Sequence, residues 1–190
     1  MSQTALSGGF QTPAIDASHA FRAALQAMSR PGRIEEVAGV APPAPLSSAA
    51  GALVLTLCDR ETSLYLAPSH DTSALRDWIT FQTGAPFAPA EEAQFALGTW
   101  AALQPVSAFA VGTPEYPDRS ATLIVEMAAL SASGPMLSGP GIRDSATLSL
   151  PETAAFQANA AQFPLGFDCY FTAGTQLAGL PRSTRVKEAV

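Results

Sequence analysis

Residues 121–130 read Ala121-Thr122-Leu123-Ile124-Val125-Glu126-Met127-Ala128-Ala129-Leu130. The run is strongly apolar and bounded by polar turns. Apolar residues at consecutive positions leave no solvent face, so the stretch reads as a central strand. Further strands are expected over residues 33–37, 63–67, 94–97, 135–138 and 146–150. Residues 166–172 and 176–180 read as two more, joined at Gly174-Thr175 in a hairpin turn.

Helices interleave with these strands. Asp16 is a plausible N-cap for a helix running to Ser29, which Pro31-Gly32 stops. Its residues Ala20, Phe21, Ala24, Leu25 and Met28 fall on one apolar face, with His19, Arg22, Gln26 and Ser29 opposite. Ser47 or Ser48 caps a second helix reaching Asp59. Leu53, Leu55 and Leu57 also alternate as a strand would, but the length and the alanines favour the helix. Asp71 reads as the N-cap of a third helix, continued by Leu75, Trp78, Ile79 and Gln82. Gly84 then stands where a left-handed residue ends a helix, with Pro86 following. Pro151-Glu152 opens a fourth, proline suiting the first helical position, and it ends before Pro164. The expected architecture is α/β, a three-layer sandwich with a mixed sheet. Residues 1–15, small and polar with Gly8-Gly9 and Pro13, read as an extended arm. Residues 16–190 read as a single α/β domain.

Composition bounds the function. A 190-residue chain buries about 70% of the surface it exposes when unfolded, enough for a core without staples. It is 47% hydrophobic and 14% charged, which excludes intrinsic disorder and leaves few charges to cover the surface. The net charge is −6, and the ten cations, nine arginines and Lys187, are scattered. Binding to a nucleic-acid backbone needs clustered cations, so no nucleic-acid partner is expected. An arginine pocket for a small phosphorylated ligand stays open. Met1 to Ser18 has neither a basic start nor an apolar core, so it is no secretory signal. The longest apolar stretch, 49–58, is far short of the ~20 residues of a membrane helix. A cytoplasmic protein is expected. Cys58 and Cys169 read as free core thiols.

The search for chemistry removes most candidates. Two histidines, His19 and His70, and no short cysteine or histidine pairing offer no zinc or iron site. His19 reads as an exposed helix residue and His70 as a loop residue before a helix cap. There is no Gly-x-Ser-x-Gly elbow and no Gly-Lys-Ser/Thr phosphate loop. Gly139-Pro140-Gly141-Ile142-Arg143-Asp144 contains Gly-x-Gly, but Asp144 stands where the third dinucleotide glycine belongs and Pro140 removes a backbone donor. A tight turn between strands is the simpler reading. Covalent pyridoxal chemistry needs a lysine. Lys187, near an end expected to be mobile, is the one lysine in the chain.

The remaining motifs resemble the PhnH family, one of the components of the bacterial carbon–phosphorus lyase complex. Phe21-Arg22, Ala27-Met28-Ser29 and Pro31-Gly32 resemble that family's first helix and its stop. Leu55-Thr56-Leu57 with Asp59 and Thr62 resembles the next element. Phe81-Gln82-Thr83 with Ala85-Pro86 is similar to its Phe-His-Thr-x-Ala-Pro segment. Gly112-Thr113, Ala121-Thr122-Leu123-Ile124 and Leu137-Ser138-Gly139-Pro140-Gly141-Ile142 follow in order. Phe163-Pro164-Leu165-Gly166-Phe167-Asp168 and Leu180-Pro181-Arg182-Ser183-Thr184 close the series, which spans Asp16 to Val186. Gln82 departs from the family's frequent histidine, Phe167 from an aliphatic residue and Ser183 from threonine. An amide at position 82 hydrogen-bonds but does not titrate near neutral pH.

The resemblance implies a place in phosphonate breakdown. Proteins of the G, H, I and J types form the core complex there, with an ATP-binding-cassette-like protein of the L type. The I-type protein, with the G, H and L types, displaces adenine from MgATP by a phosphonate, giving a ribose 1-phosphonate 5-triphosphate. The J-type protein later cleaves the carbon–phosphorus bond with S-adenosylmethionine and an iron–sulfur cluster. The family member is implied to be a homodimer whose fold resembles the large domain of pyridoxal-phosphate-dependent transferases without the cofactor lysine. No pyridoxal phosphate, other covalent cofactor or resident metal is expected, and MgATP and phosphonate are substrates of the complex. No catalytic residue is implied. Arg22, Arg143 and Arg182 lie inside family-like segments, and guanidinium groups bind phosphate or phosphonate oxygens bidentately. Backbone donors near Gly139 and Gly141 could complete an anion nest. A helix-surface ion pair is the simpler reading of Arg22, and Arg182 reads equally as an interface residue or the partner of Asp168. The alternative to a subunit without stand-alone catalysis is an independent nucleotide- or phosphonate-binding enzyme using this arginine pocket.

Overall fold

A computed structural model describes residues 7–188. Thr122–Glu126 (β4) is a strand at the centre of a six-stranded mixed sheet. Its neighbours are Phe95–Thr99 (β3) on one side and Asp168–Ala173 (β7) on the other, both parallel to it. Leu64–Leu66 (β2) lies outside β3, also parallel. Gln176–Leu180 (β8) and Ile34–Glu36 (β1) complete the order β1-β8-β7-β4-β3-β2, each antiparallel to the strand inside it. The β7–β8 hairpin turns at Gly174, whose φ of 60° is the left-handed conformation that glycine adopts without a Cβ penalty.

Side chains alternate across the sheet. Leu64, Leu66, Leu97, Ile124, Tyr170 and Leu177 face one core, packed under three helices. These are Pro13–Ser29 (α1), Ser48–Leu57 (α2) and Ser73–Thr83 (α3). Ala96, Leu123, Val125, Cys169, Phe171 and Ala178 face the opposite core. Phe156 of the short helix Ala154–Ala161 (α4) covers that side. So does a second, three-stranded antiparallel sheet of Met136–Ser138 (β5), Ala146–Thr147 (β6) and Arg185–Lys187 (β9), ordered β6-β5-β9.

The caps show why the helices start where they do. Ser47 Oγ accepts the Ala50 N–H at 3.2 Å to open α2. Thr72, one residue after the expected Asp71, opens α3 by accepting the Leu75 N–H at 3.2 Å. Asp71 instead pairs with Arg76. α1 begins at Pro13 with Thr12 as its cap, ahead of the expected Asp16, because proline at the first position presets φ. Asp16 reaches back to accept the Thr12 N–H at 2.7 Å. α4 begins at Ala154 rather than Pro151, and Glu152 accepts the Ala155 N–H from outside the helix.

Three further expectations change. The strand expected over 121–130 stops at Glu126. The C-terminal segment, expected to be mobile, is strand β9, with Lys187 opposite Met136. The inward face of α1 is Ala20, Ala24 and Ala27, while Phe21 and Leu25 stand 52% and 54% exposed. The reason is close approach. A Cβ on Gly179 of β8 would lie 2.7 Å from the backbone of Ala27. Helix and strand meet nearly backbone to backbone, so only small residues fit between them. The first six residues of the expected arm lie outside the described residues.

Candidate functional site

Asp168 begins β7, and Arg182 follows β8 in the turn leading to β9. The hairpin brings the two ends together. Arg182 donates from its backbone N–H to Asp168 Oδ1 at 2.8 Å, from Nε to the same oxygen at 3.2 Å, and from Nη2 to Oδ2 at 2.5 Å. Nη1 donates to the Pro117 carbonyl at 2.7 Å, and Nη2 also donates to Ser120 Oγ. Four of the five guanidinium donors are thus engaged within the fold. The side chains are 14% and 23% exposed. The cluster ties the loop before β4, the start of β7 and the turn before β9 into one corner.

The Gly139-Pro140-Gly141 turn leaves β5 and packs into a narrow space. Gly139 has φ 134° and Gly141 φ 80°. A Cβ on Gly141 would sit 1.9 Å from the Ser29 carbonyl oxygen at the end of α1. On Gly139 it would sit 3.1 Å from the Ser183 carbonyl. Ile142 N–H donates back to the Gly139 carbonyl at 3.1 Å. The turn is therefore wedged between α1 and the segment that carries Arg182. Arg143 just beyond it and Arg22 midway along α1 are exposed. Among the described residues no hydrogen bond or ion pair joins either of them to the Asp168–Arg182 corner.

Phe163 stands between these features, 60% exposed. Two grooves of about 370 Å³ each, one shallow and one more enclosed, meet at Phe163 and Ser183. One runs over Pro117, Asp118, Pro164 and Pro181 beside the Asp168–Arg182 pair. The other runs over Gly139, Pro140, Ala160 and Arg185. A larger cavity, about 530 Å³, lies at the amino ends of β3 and β4 with Glu91, Glu92, Asp118 and Arg119 on its walls.

The carboxyl ends of the parallel strands hold groups that the sequence did not mark. His70, in the turn after β2, is only 2% exposed. Its Nδ1 lies 2.9 Å from Ser69 Oγ, which also accepts the Thr99 N–H at 3.1 Å from the end of β3. Burial pushes the His70 pKa below its ordinary 6.5. Glu126, ending β4, accepts the Ser47 N–H of the α2 cap at 2.7 Å. Burial raises its pKa, and the bond to Ser47 partly opposes that. A turn histidine in sequence carries no sign of burial. Only the order strand, turn, helix cap over residues 64–73 hints that His70 lies at the sheet's carboxyl edge.

The thiols are free and buried, Cys58 under the helices and Cys169 in the opposite core. Burial, then the neighbouring Asp59, pushes Cys58 up to about 12, and Cys169 rises for the same reason with Asp168 beside it. Among the described residues no group of three or more His, Cys, Asp or Glu is placed to hold a metal ion. Among them, too, no helix is long and apolar enough to cross a membrane.

Comparison with known proteins closes the question of kinship. Residues 8–187 match the family of bacterial phosphonate metabolism proteins, PhnH. The alpha-D-ribose 1-methylphosphonate 5-triphosphate synthase subunit PhnH of Rhizobium meliloti (strain 1021) is 40% identical over 190 residues, which cover 95% of each chain. With the family matched across nearly every described residue, and a relative this similar end to end, the chain belongs to the PhnH family of bacterial phosphonate metabolism proteins.

Proposed function

We propose that this chain is a cytoplasmic subunit of a carbon–phosphorus lyase complex, supporting formation of a ribose 1-phosphonate 5-triphosphate from MgATP and a phosphonate. The observation that carries this is the 40% identity, over 95% of both chains, to a subunit of such a synthase. It acts as a homodimer that docks with proteins of the G, I, J and L types, and the reacting groups come from those neighbours. The chemistry of its own side chains supports that division. The thiols are held as thiols by burial, and Arg182 is engaged on three sides by its own fold. In the same reading the fold is kin to the large domain of pyridoxal-phosphate-dependent transferases, with no lysine left to carry a cofactor. The test is reconstitution from purified subunits with and without this chain. Triphosphate formation that falls when the chain is omitted supports the proposal, and undiminished formation without it defeats it.

Arg22 and Arg143, exposed and without an ion-pair partner among the described residues, favour a second reading. In it these arginines, with backbone donors of the Gly139–Gly141 turn, bind a nucleotide or phosphonate and the chain acts alone. Calorimetry with ATP and methylphosphonate separates the two. Neither heat nor thermal shift at millimolar ligand removes the second.

A further inference from the structure

We infer that the two grooves meeting at Phe163 form the surface on which an extended segment of another synthase subunit docks. That segment places an apolar side chain against the Phe163 ring, a carboxylate at Arg185 and a cation at Asp118. The inference rests on the reading of the chain as a subunit.

Rigidity comes first. Phe163 is not exposed because its loop is loose. Its N–H donates to the Ala160 carbonyl, Leu165 N–H to Gln162 and Gly166 N–H to Val111. Asn159 clamps both backbone groups of Phe167 just beyond. The ring is therefore held outward by a well-bonded turn. Pro117, Pro164 and Pro181 line the groove on one side of it, and proline has little conformational freedom to lose on binding. An exposed aromatic on a rigid base, flanked by an arginine, has the composition of an interface anchor.

Charge identifies the occupant. Asp168 and Arg182 neutralise each other inside the first groove. The charges left to face a ligand are Asp118 in that groove and Arg185 in the other. Both are exposed, and among the described residues neither has an ion-pair partner. A surface with opposite unpaired charges on either side of an aromatic ring fits a dipolar, extended segment and fixes its direction. A small anion has no use for Asp118. The first groove is an open trough, whereas small-molecule sites enclose most of their ligand.

The experiment uses the full chain and the purified remaining subunits. Phe163→Ser, Arg185→Glu and Asp118→Lys are each expected to weaken assembly by about ten-fold or more, with thermal transitions unchanged for the two charge variants. A photoreactive phenylalanine at position 163 is expected to cross-link to another subunit. Cross-linking only to a second copy of this chain, or no cross-link, overturns the inference. Wild-type assembly with all three variants assembling equally well overturns it while leaving the subunit reading intact. Failure of the wild-type chain itself to assemble overturns both.

Discussion

Asn159 and Phe167 are joined by two hydrogen bonds. Asn159 Nδ2 donates to the Phe167 carbonyl at 2.8 Å, and the Phe167 N–H donates to Asn159 Oδ1 at 2.9 Å. The amide thereby satisfies two buried backbone groups where the chain leaves α4 for β7. Gly166 makes room for it, since a Cβ there would stand 2.6 Å from Asn159 Oδ1. Asn159→Ala leaves both backbone groups without their partner. The expected loss is about 2–4 kcal/mol, on the usual 1–3 kcal/mol for each buried unsatisfied group. Urea unfolding measures it. Asn159→Asp sets a buried carboxylate oxygen against the Phe167 carbonyl and is expected to lose at least as much at neutral pH.

Removing Asp168 leaves the Arg182 guanidinium partly buried without its counter-charge. Asp168→Ala is expected to destabilise by about 2–3 kcal/mol, below the 3–5 kcal/mol of a fully buried pair because water reaches both side chains. The change in denaturation midpoint reads this directly. A loss under about 0.5 kcal/mol would mean that the corner behaves as an exposed pair and contributes little stability.

Gly179 faces the backbone of Ala27, with 2.7 Å available where a side chain would begin. Backbone atoms cannot swing aside as a side chain does. Gly179→Ala is therefore expected to push α1 off the sheet and to lose about 1–3 kcal/mol, the range for overpacking. Gly179→Val is expected not to fold. Circular dichroism and thermal melting distinguish the two.

Burial lowers the His70 pKa from 6.5, so the unfolded chain takes up the proton first as pH falls. Its contribution to stability is present above pH 6.5 and is lost below it, toward the folded pKa. Glu126 works the other way. Its pKa is raised from 4.5, so the folded chain binds the proton first, and the penalty of its buried charge is relieved as pH falls toward 4.5. Between about pH 7.5 and about 5, the denaturation midpoint of His70→Asn should fall less than that of the wild type, and that of Glu126→Gln should fall more.

Cys58, pushed from 9.0 to about 12, is expected to alkylate about a thousand-fold more slowly at about pH 8 than a free thiol. Cys169 should lag similarly. Iodoacetamide labelling followed by mass spectrometry should show both unlabelled in the native chain and both labelled in urea. Rapid native labelling of either would contradict the packing of its core.

The sequence announced those parts of the fold whose causes are local. Ser47 as a cap, Gly84 as a helix end and Gly174 as a hairpin turn each act within a few residues. Distant causes stayed hidden. The rotation of α1 depends on Gly179, far along the chain from Ala27. β9 is three residues long, with one buried valine between two charges, and shows no strand pattern without β5 beside it. The Asp168–Arg182 pair was one of three readings of Arg182, and the hairpin that aligns the two residues brings that pair together. The exposure of Phe163 and the burial of His70 had no local signature, because each depends on what the rest of the chain covers.

The order β1-β8-β7-β4 has a consequence for synthesis on the ribosome. β1 is made from residues 34–36, yet the strand beside it is residues 176–180. Translation at roughly 5–20 residues per second leaves that early strand without a neighbour for many seconds. α1 packs on β8 and on α2 to a similar extent, so only its β8 side waits with it. The nascent chain therefore leaves the Ala27 end of its first helix uncovered until the last hairpin emerges and slots between the two halves of the sheet.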